Sequence, residues 1–318
     1  MLFFGAISKS PADSSPSWTM VDCNAGGSTQ DCHVLIDSGV VAIVDTGTVD
    51  ATKRYFIPYL IENQLNEIDH FFVSHPHDNH VGGLIDIIRA GINIKNIYIN
   101  RPPEGSRDFA YDPDLFDSML IEAAELGATT HNINNGDTIE LGKGRIVVLN
   151  SPQSQQAEIN DYSIIMRWEA GGYSTLFTGD LSIGLGAALV GNPLYSADFY
   201  KAPHHGVTPI APDSFSDTVN PFINLIPTPR VLLQHPRGRQ YREWYTRKRT
   251  ETGMITCSNG ENGHVTLTLQ NPNVTLTPER PTSSFGCENT SLIVKPKIIT
   301  PFRPPFNITP VIDQLLNE

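Results

Sequence analysis

Hydrophobic residues in this chain come in short blocks, and most blocks stop at a glycine or a polar cluster. The run Val40-Val41-Ala42-Ile43-Val44 is apolar throughout and halts at Asp45-Thr46-Gly47. Runs of this length suit strands covered on both faces. Phe71-Phe72-Val73 is a second such block, ending at Ser74-His75. Further strands are predicted at residues 18–22 and 33–37 (around a Gly26-Gly27 turn), 94–100, 162–168, 174–178, 197–201, 231–234, 254–257 and 264–269. Residues 138–141 and 145–149 form a hairpin across Gly142-Lys143-Gly144. Helices fall between them. Residues 51–66 set Phe56, Tyr59, Leu60 and Leu65 at helical spacing, residues 83–90 read as a helix, and residues 115–126 make another, stopped by Gly127. Interleaved strands and helices of this kind predict an α/β domain over residues 18–277. Residues 1–17, rich in Ser and Pro near their end, form a flexible lead-in. Residues 278–318 form a Pro-rich C-terminal extension, partly packed on the domain, with a helical turn near residues 311–316.

Composition narrows the picture. The 318 residues are 39% hydrophobic and 18% charged, which gives enough apolar material for a sizeable core. The net charge of -12 argues against a uniformly basic nucleic-acid surface, although a local basic groove remains compatible with it. Cys23, Cys32, Cys257 and Cys287 form no CxxC pair, so a thiolate metal site is not expected. The cysteines could be four free thiols or up to two disulfides, and free thiols are the expectation because a chain of this length needs no covalent staples. No apolar run reaches the roughly 18 residues of a membrane span. The apolar start Met1-Leu2-Phe3-Phe4 lacks the basic lead of a signal peptide. No stable membrane association is expected, a cytoplasmic location is slightly favoured over a secreted or periplasmic one, and no protein partner is readable.

The chemistry sits at the strand ends. Ser74-His75-Pro76-His77-Asp78-Asn79-His80-Val81-Gly82-Gly83 packs three imidazoles into a loop closed by two glycines. Other predicted strands end at Asp45, at Asp180 and at His204-His205. A lone histidine at a strand end is usually an ordinary polar residue, and an Asp beside Gly is usually a turn residue. Together in this order they are hard to explain by packing. Strand ends on one edge of a sheet converge in space, and imidazoles with a carboxylate suit Zn, Fe or Mn.

The order Asp45-Thr46-Gly47, HxHxxHxGG, Thr178-Gly179-Asp180, Pro203-His204-His205-Gly206 resembles the metallo-β-lactamase fold superfamily. Within it the chain is most similar to the ComEC-type branch, the hydrolase domain of DNA-uptake proteins and its stand-alone relatives. The resemblance implies an αββα sandwich, classed α/β or in some schemes α+β, with one or two zinc ions, or manganese in some members, at one edge. It implies that His75 and His77 bind a first metal, that His80 and one of the paired histidines bind a second (His205, adjacent to Gly206, favoured over His204), and that Asp180 bridges them. Asp45 should orient the histidine loop. His204 should face substrate, as a phosphate contact or proton donor. Asn79 stands where the family usually has a metal-binding Asp, and a neutral amide is a weaker ligand, so the second site is weak or completed by substrate phosphate. No clear histidine lies between the cluster and Asp180. His131 comes too early, and Asn160 and Asp161 occupy that segment.

The implied activity is hydrolysis of a phosphodiester by metal-activated hydroxide, with DNA among the candidate substrates. Two alternatives stand beside it: a hydrolase of another small ester (a phosphocholine ester, a lactone or a lactam), and a decayed metal site kept in a non-enzymatic binding module. Residues 230–249 bear on the choice. They hold Arg230, Arg237, Arg239, Arg242, Arg247, Lys248 and Arg249 with Tyr241, Trp244 and Tyr245 interleaved. This pattern fits phosphate contacts with base stacking, and equally an amphipathic helix whose Trp244 packs inward.

Overall fold

Side chains alternate across each strand, and this splits the core into three apolar layers. The computed structural model describes residues 15–24, 27–150, 158–282 and 287–298. The first 14 residues, Gly26 of the glycine turn and the turn near residues 311–316 lie outside them. The chain first lays down β1 (Ser17–Met20), β2 (Cys32–Asp37), β3 (Val40–Thr46), β4 (Glu67–Phe72), β5 (Asn93–Ile99) and β6 (Thr129–Asn132). It crosses to a second sheet for β7 (Thr138–Leu141), β8 (Gly144–Val148), β9 (Met166–Ala170), β10 (Tyr173–Phe177), β11 (Phe199–Lys201), β12 (Ile223–Ile226) and β13 (Ile255–Ser258). It then returns with β14 (Val265–Gln270), β15 (Asn273–Pro278) and β16 (Thr290–Ile293). Among the described residues the sheet orders are β16-β15-β14-β1-β2-β3-β4-β5-β6 and β13-β12-β11-β10-β9-β8-β7.

On β3, Ala42 and Val44 face the other sheet, while Val41 and Ile43 face helices. On β10, Tyr173 and Phe177 point between the sheets and Leu176 points outward. The shared layer between the sheets includes Trp18, Phe72, Trp168 and Leu267. Phe56, Leu84, Phe116 and Leu120 cover the first sheet, and Phe215 and Val219 the second. This is the expected αββα sandwich. No helix among the described residues is long and apolar enough to cross a membrane.

Some local expectations fail for identifiable reasons. Residues 231–234 form not a strand but part of the helix Arg230–Gln234. A short apolar run is ambiguous by pattern alone, and here Val231 is 61% exposed while Leu233 is buried. The strand expected at residues 162–168 is displaced to β9, after a 3-10 turn at Ile159–Tyr162. β12 escaped notice because Asn224 interrupts its apolar run. Its Oδ1 accepts the Tyr241 hydroxyl at 2.9 Å, which gives the buried amide oxygen a partner.

The cysteine expectation needs correction. Cys23 and Cys32 are free and buried, but Cys257 and Cys287 form a disulfide. The topology causes this. Cys257 lies on β13 at the edge of one sheet, and the return to β16 in the other brings Cys287 to a Cα separation of 5.3 Å. Closing a loop with a sequence separation of 30 restricts the unfolded chain by about 3–4 kcal/mol in the chain-entropy account. A Cys257→Ser, Cys287→Ser double variant is therefore expected to lose about that much stability in urea unfolding.

Candidate metal centre

β3 and β4 are parallel neighbours, so their C-terminal ends fall on one edge of the sheet. Asp45 closes β3 in a left-handed conformation, with φ of 59°. Its Oδ1 accepts the Ser74 N–H at 2.8 Å, and its Oδ2 accepts the Ser74 hydroxyl at 2.7 Å. The same Oδ2 lies 2.8 Å from His80 Nδ1. The short helix Asp78–Val81 folds His80 back beneath His75, with ring centroids 4.1 Å apart. Glycine is required just after it: a Cβ on Gly83 would sit 1.8 Å from Thr52 Oγ1.

β10 and β11 are also parallel. Their ends supply Asp180 and the pair His204 and His205. Both histidines have positive φ (44° and 53°), and this tight left-handed turn aims both rings at Asp180. Three imidazole nitrogens then converge on Asp180 Oδ2: His205 Nε2 at 3.2 Å, His80 Nε2 at 3.3 Å and His204 Nε2 at 3.5 Å. On the other wall His75 Nε2 and His77 Nδ1 approach to 3.1 Å. Asn79 Nδ2 lies 3.1 Å from His205 Nε2.

The opposite nitrogen of each ring has its own neighbour. His75 Nδ1 meets Ser74 Oγ at 3.1 Å, and His77 Nε2 meets Asp108 Oδ2 at 2.9 Å. His80 Nδ1 meets Asp45, His205 Nδ1 lies 3.4 Å from Asp31 Oδ1, and His204 Nδ1 contacts the Pro209 carbonyl. Such partners fix ring orientation and tautomer in metal sites.

The donor set fits a divalent ion. Ligand atoms of Asp31, His80, Asp180 and His205 lie within 4.8 Å of one another. His80 Nε2 and Asp180 Oδ1 are buried without a hydrogen-bond partner, an arrangement that is costly unless something else binds there. Burial disfavours a charged His80, but the Asp180 and Asp45 carboxylates outweigh it and hold the imidazolium up to about 10. A metal at Nε2 would replace that proton. Burial pushes His204 down to about 4. Exchanging Asp45 for Asn keeps an acceptor for the Ser74 N–H but replaces the oxygen that faces the Ser74 hydroxyl and His80. It is expected to weaken metal binding about 10–100-fold, read by competition with a chromogenic chelator.

The residues singled out from sequence (Asp45, His75, His77, Asn79, His80, Asp180, His204 and His205) thus gather at one sheet edge. His131 does not: it bonds Asn96 at 2.9 Å and stacks on Tyr98. Asp161 accepts the Ser182 hydroxyl at 2.6 Å, and Asn160 lines the cleft. Asp31, Asp108 and Lys201 were not foreseen as site residues. Asp31 and Asp108 lie in loops without a motif. Lys201 carried a signal, a lysine ending the apolar strand Phe199-Tyr200, since a buried lysine demands a partner.

Above the centre opens a cleft of about 830 Å³, whose lining includes His77, Asn79, Arg107, Phe109, His204 and Arg237. The basic segment reaches it only in part. Tyr241, Trp244 and Tyr245 are buried on the inner face of the helix Arg239–Thr252, packed with Leu233 and Ile226. The inward-packing alternative therefore holds, and these rings are not base-stacking platforms. Arg247 and Lys248 pair with Asp217, Arg239 with Glu243 and Arg230 with Glu261. Arg237, on the cleft wall, donates to the Thr208 carbonyl at 3.1 and 3.2 Å.

An αββα sandwich with histidines and a carboxylate at the strand ends is a metallohydrolase-type architecture. The profile of the Metallo-beta-lactamase superfamily matches residues 25–229, and the chain belongs to that superfamily. It is 27% identical over 172 residues to ComE operon protein 3 of Bacillus subtilis (strain 168), covering 53% of this chain and 21% of that one. The chain thus spans about a fifth of the length of that relative. Among solved structures it resembles the metallo-beta-lactamase fold protein YhfI from Bacillus subtilis (TM-score 0.51, 13% identity, 76% of this chain and 96% of that one). It also resembles CmlA, a diiron beta-hydroxylase from Streptomyces venezuelae (TM-score 0.53, 14% identity, 80% and 54%). At these identities the likeness shows the fold alone.

Proposed function

We propose that this chain is a metal-dependent phosphodiesterase, with DNA among its candidate substrates. The observation that carries the proposal is the convergence of three imidazole Nε2 atoms on Asp180 at the floor of an open cleft that Arg237 borders. The ComEC-type motifs and the similarity to ComE operon protein 3 support the same reading. His75 and His77 would hold one ion. His80 and His205, with the weaker Asn79, would hold a second, and Asp180 would serve both. Zinc suits this set best, and manganese is the alternative. When bound, such an ion supplies a Lewis acid and a water acidified toward neutrality.

The chain's own residues do the rest. Asp45 and Asp108 orient His80 and His77. Arg237 offers positive charge to a phosphate entering the cleft. His204 has its Nδ1 turned to the Pro209 carbonyl, so its neutral form presents a lone pair at Nε2. It donates a proton there only as the imidazolium, a form that an adjacent anionic phosphate favours.

The test is a substrate panel for protein loaded with Zn or Mn: bis-p-nitrophenyl phosphate, single- and double-stranded DNA, a phosphocholine ester, a lactone and a lactam. Cleavage of the diesters is expected. Turnover of the lactone or lactam alone, by protein shown to hold metal, would replace phosphodiesterase with the other ester reading.

A further inference from the structure

Beneath the histidines lies a buried ion pair that the hydrolytic reading does not use. Asp31 and Lys201 are both buried. Lys201 Nζ contacts Asp31 Oδ2, donates to the Gly179 carbonyl at 3.0 Å and lies 3.8 Å from Asp180 Oδ1. Asp31 Oδ1 lies 3.3 Å from His33 Nε2 and 3.4 Å from His205 Nδ1. The Trp18 indole N–H donates to His33 Nδ1 at 3.3 Å, which leaves His33 Nε2 as the protonated nitrogen facing Asp31. The Asp31 backbone N–H reaches the Asn79 carbonyl at 3.4 Å. The Asp31 carboxylate and the Lys201 ammonium therefore tie together the loop before β2, the Gly179-Asp180 turn and the His205 ring, and the Asp31 backbone N–H adds the histidine loop.

We propose that Asp31 and Lys201 are the positioning pair of the metal centre, Lys201 fixing Asp31 and the Asp180 turn while Asp31 fixes His205 with its Nε2 toward Asp180. The inference rests on the metal-site reading above. Asp31 is near enough to the cluster to be taken for a ligand. However, it sits on the Nδ1 edge of His205 and against the ammonium, whereas Asp180 sits on the Nε2 edge. Lysine has donors only and a fixed position, so its role is to hold.

The test compares the wild-type chain with Asp31→Asn, Lys201→Met and the double variant. Urea unfolding is followed alongside cobalt(II) affinity and the visible ligand-field spectrum. Asp31→Asn should weaken cobalt binding about 10–100-fold and shift the spectrum. The double variant carries no unpaired buried charge, so it should regain most of the stability that Lys201→Met loses. Its cobalt affinity should nevertheless stay as low as that of Asp31→Asn. A double variant that recovers both stability and wild-type cobalt affinity would show a merely structural pair and overturn the inference. Loss of cobalt binding by Asp31→Asn as complete as that of Asp180→Ala would make Asp31 a ligand instead. If the wild-type chain binds no cobalt, the metal-site reading falls first and the positioning role with it.

Discussion

Asp180→Ala is expected to abolish detectable diester hydrolysis and to empty much of the metal centre. Three rings point their Nε2 atoms at one carboxylate oxygen at 3.2 to 3.5 Å. Among the described residues, the other two buried acids at the centre, Asp45 and Asp31, lie against Nδ1 atoms instead. Loss of an outer partner such as Asp45 costs about 10–100-fold in affinity or activity, and loss of the shared carboxylate should exceed that. Asp180→Asn keeps the shape and removes the charge, so it should fall between the wild type and Asp180→Ala. Metal content per chain and the initial rate on bis-p-nitrophenyl phosphate, measured on the same preparations, check both. Burial pushes the Asp180 carboxyl up, but the His205, His80 and His204 rings outweigh it and hold it well below the usual carboxylate range. Either variant therefore also loses some folding stability, and urea unfolding of the same preparations separates that cost from the loss of metal.

Lys201→Met is expected to be the most destabilising single change at the site. It leaves Asp31 charged, buried and without its ammonium. Breaking a buried pair from one side costs about 3–5 kcal/mol, a large part of the 5–15 kcal/mol that ordinarily holds a domain folded. The midpoint of urea unfolding should drop accordingly, with the slope unchanged. A shift of less than about 1 kcal/mol, the range of an exposed pair, would mean that Asp31 reaches water or takes up a proton.

Much of the site was legible in the sequence because its histidines and acids are close in sequence or end apolar strands. Val40–Val44 marks a strand buried on both faces, and Asp45 is then bound to sit at its end. The histidine loop and the His204-His205 pair need no tertiary knowledge to be noticed. What escaped were residues whose role exists only through topology. Asp31 sits in an unpatterned loop and becomes important because β2 leads away from it beside β3, bringing it under His205. Asp108 reaches His77 from a loop 31 residues further on. Cys257 and Cys287 meet because β13 and the return to β16 lie on corresponding edges of the two sheets. The basic segment misled in the other direction. Its aromatics alternate with arginines at helical spacing, and helical spacing is what carries Tyr241, Trp244 and Tyr245 to the inner face.

The central claim is that the gathered histidines and Asp180 hold metal that drives phosphodiester hydrolysis. Its most direct test titrates zinc or manganese into chelator-stripped protein while the rate on bis-p-nitrophenyl phosphate is followed. The expected result is a rate near zero without metal that rises to a plateau within the first two equivalents per chain, and that Asp180→Ala lacks. A rate that stays at zero with metal demonstrably bound, or that is the same before and after stripping, would contradict it.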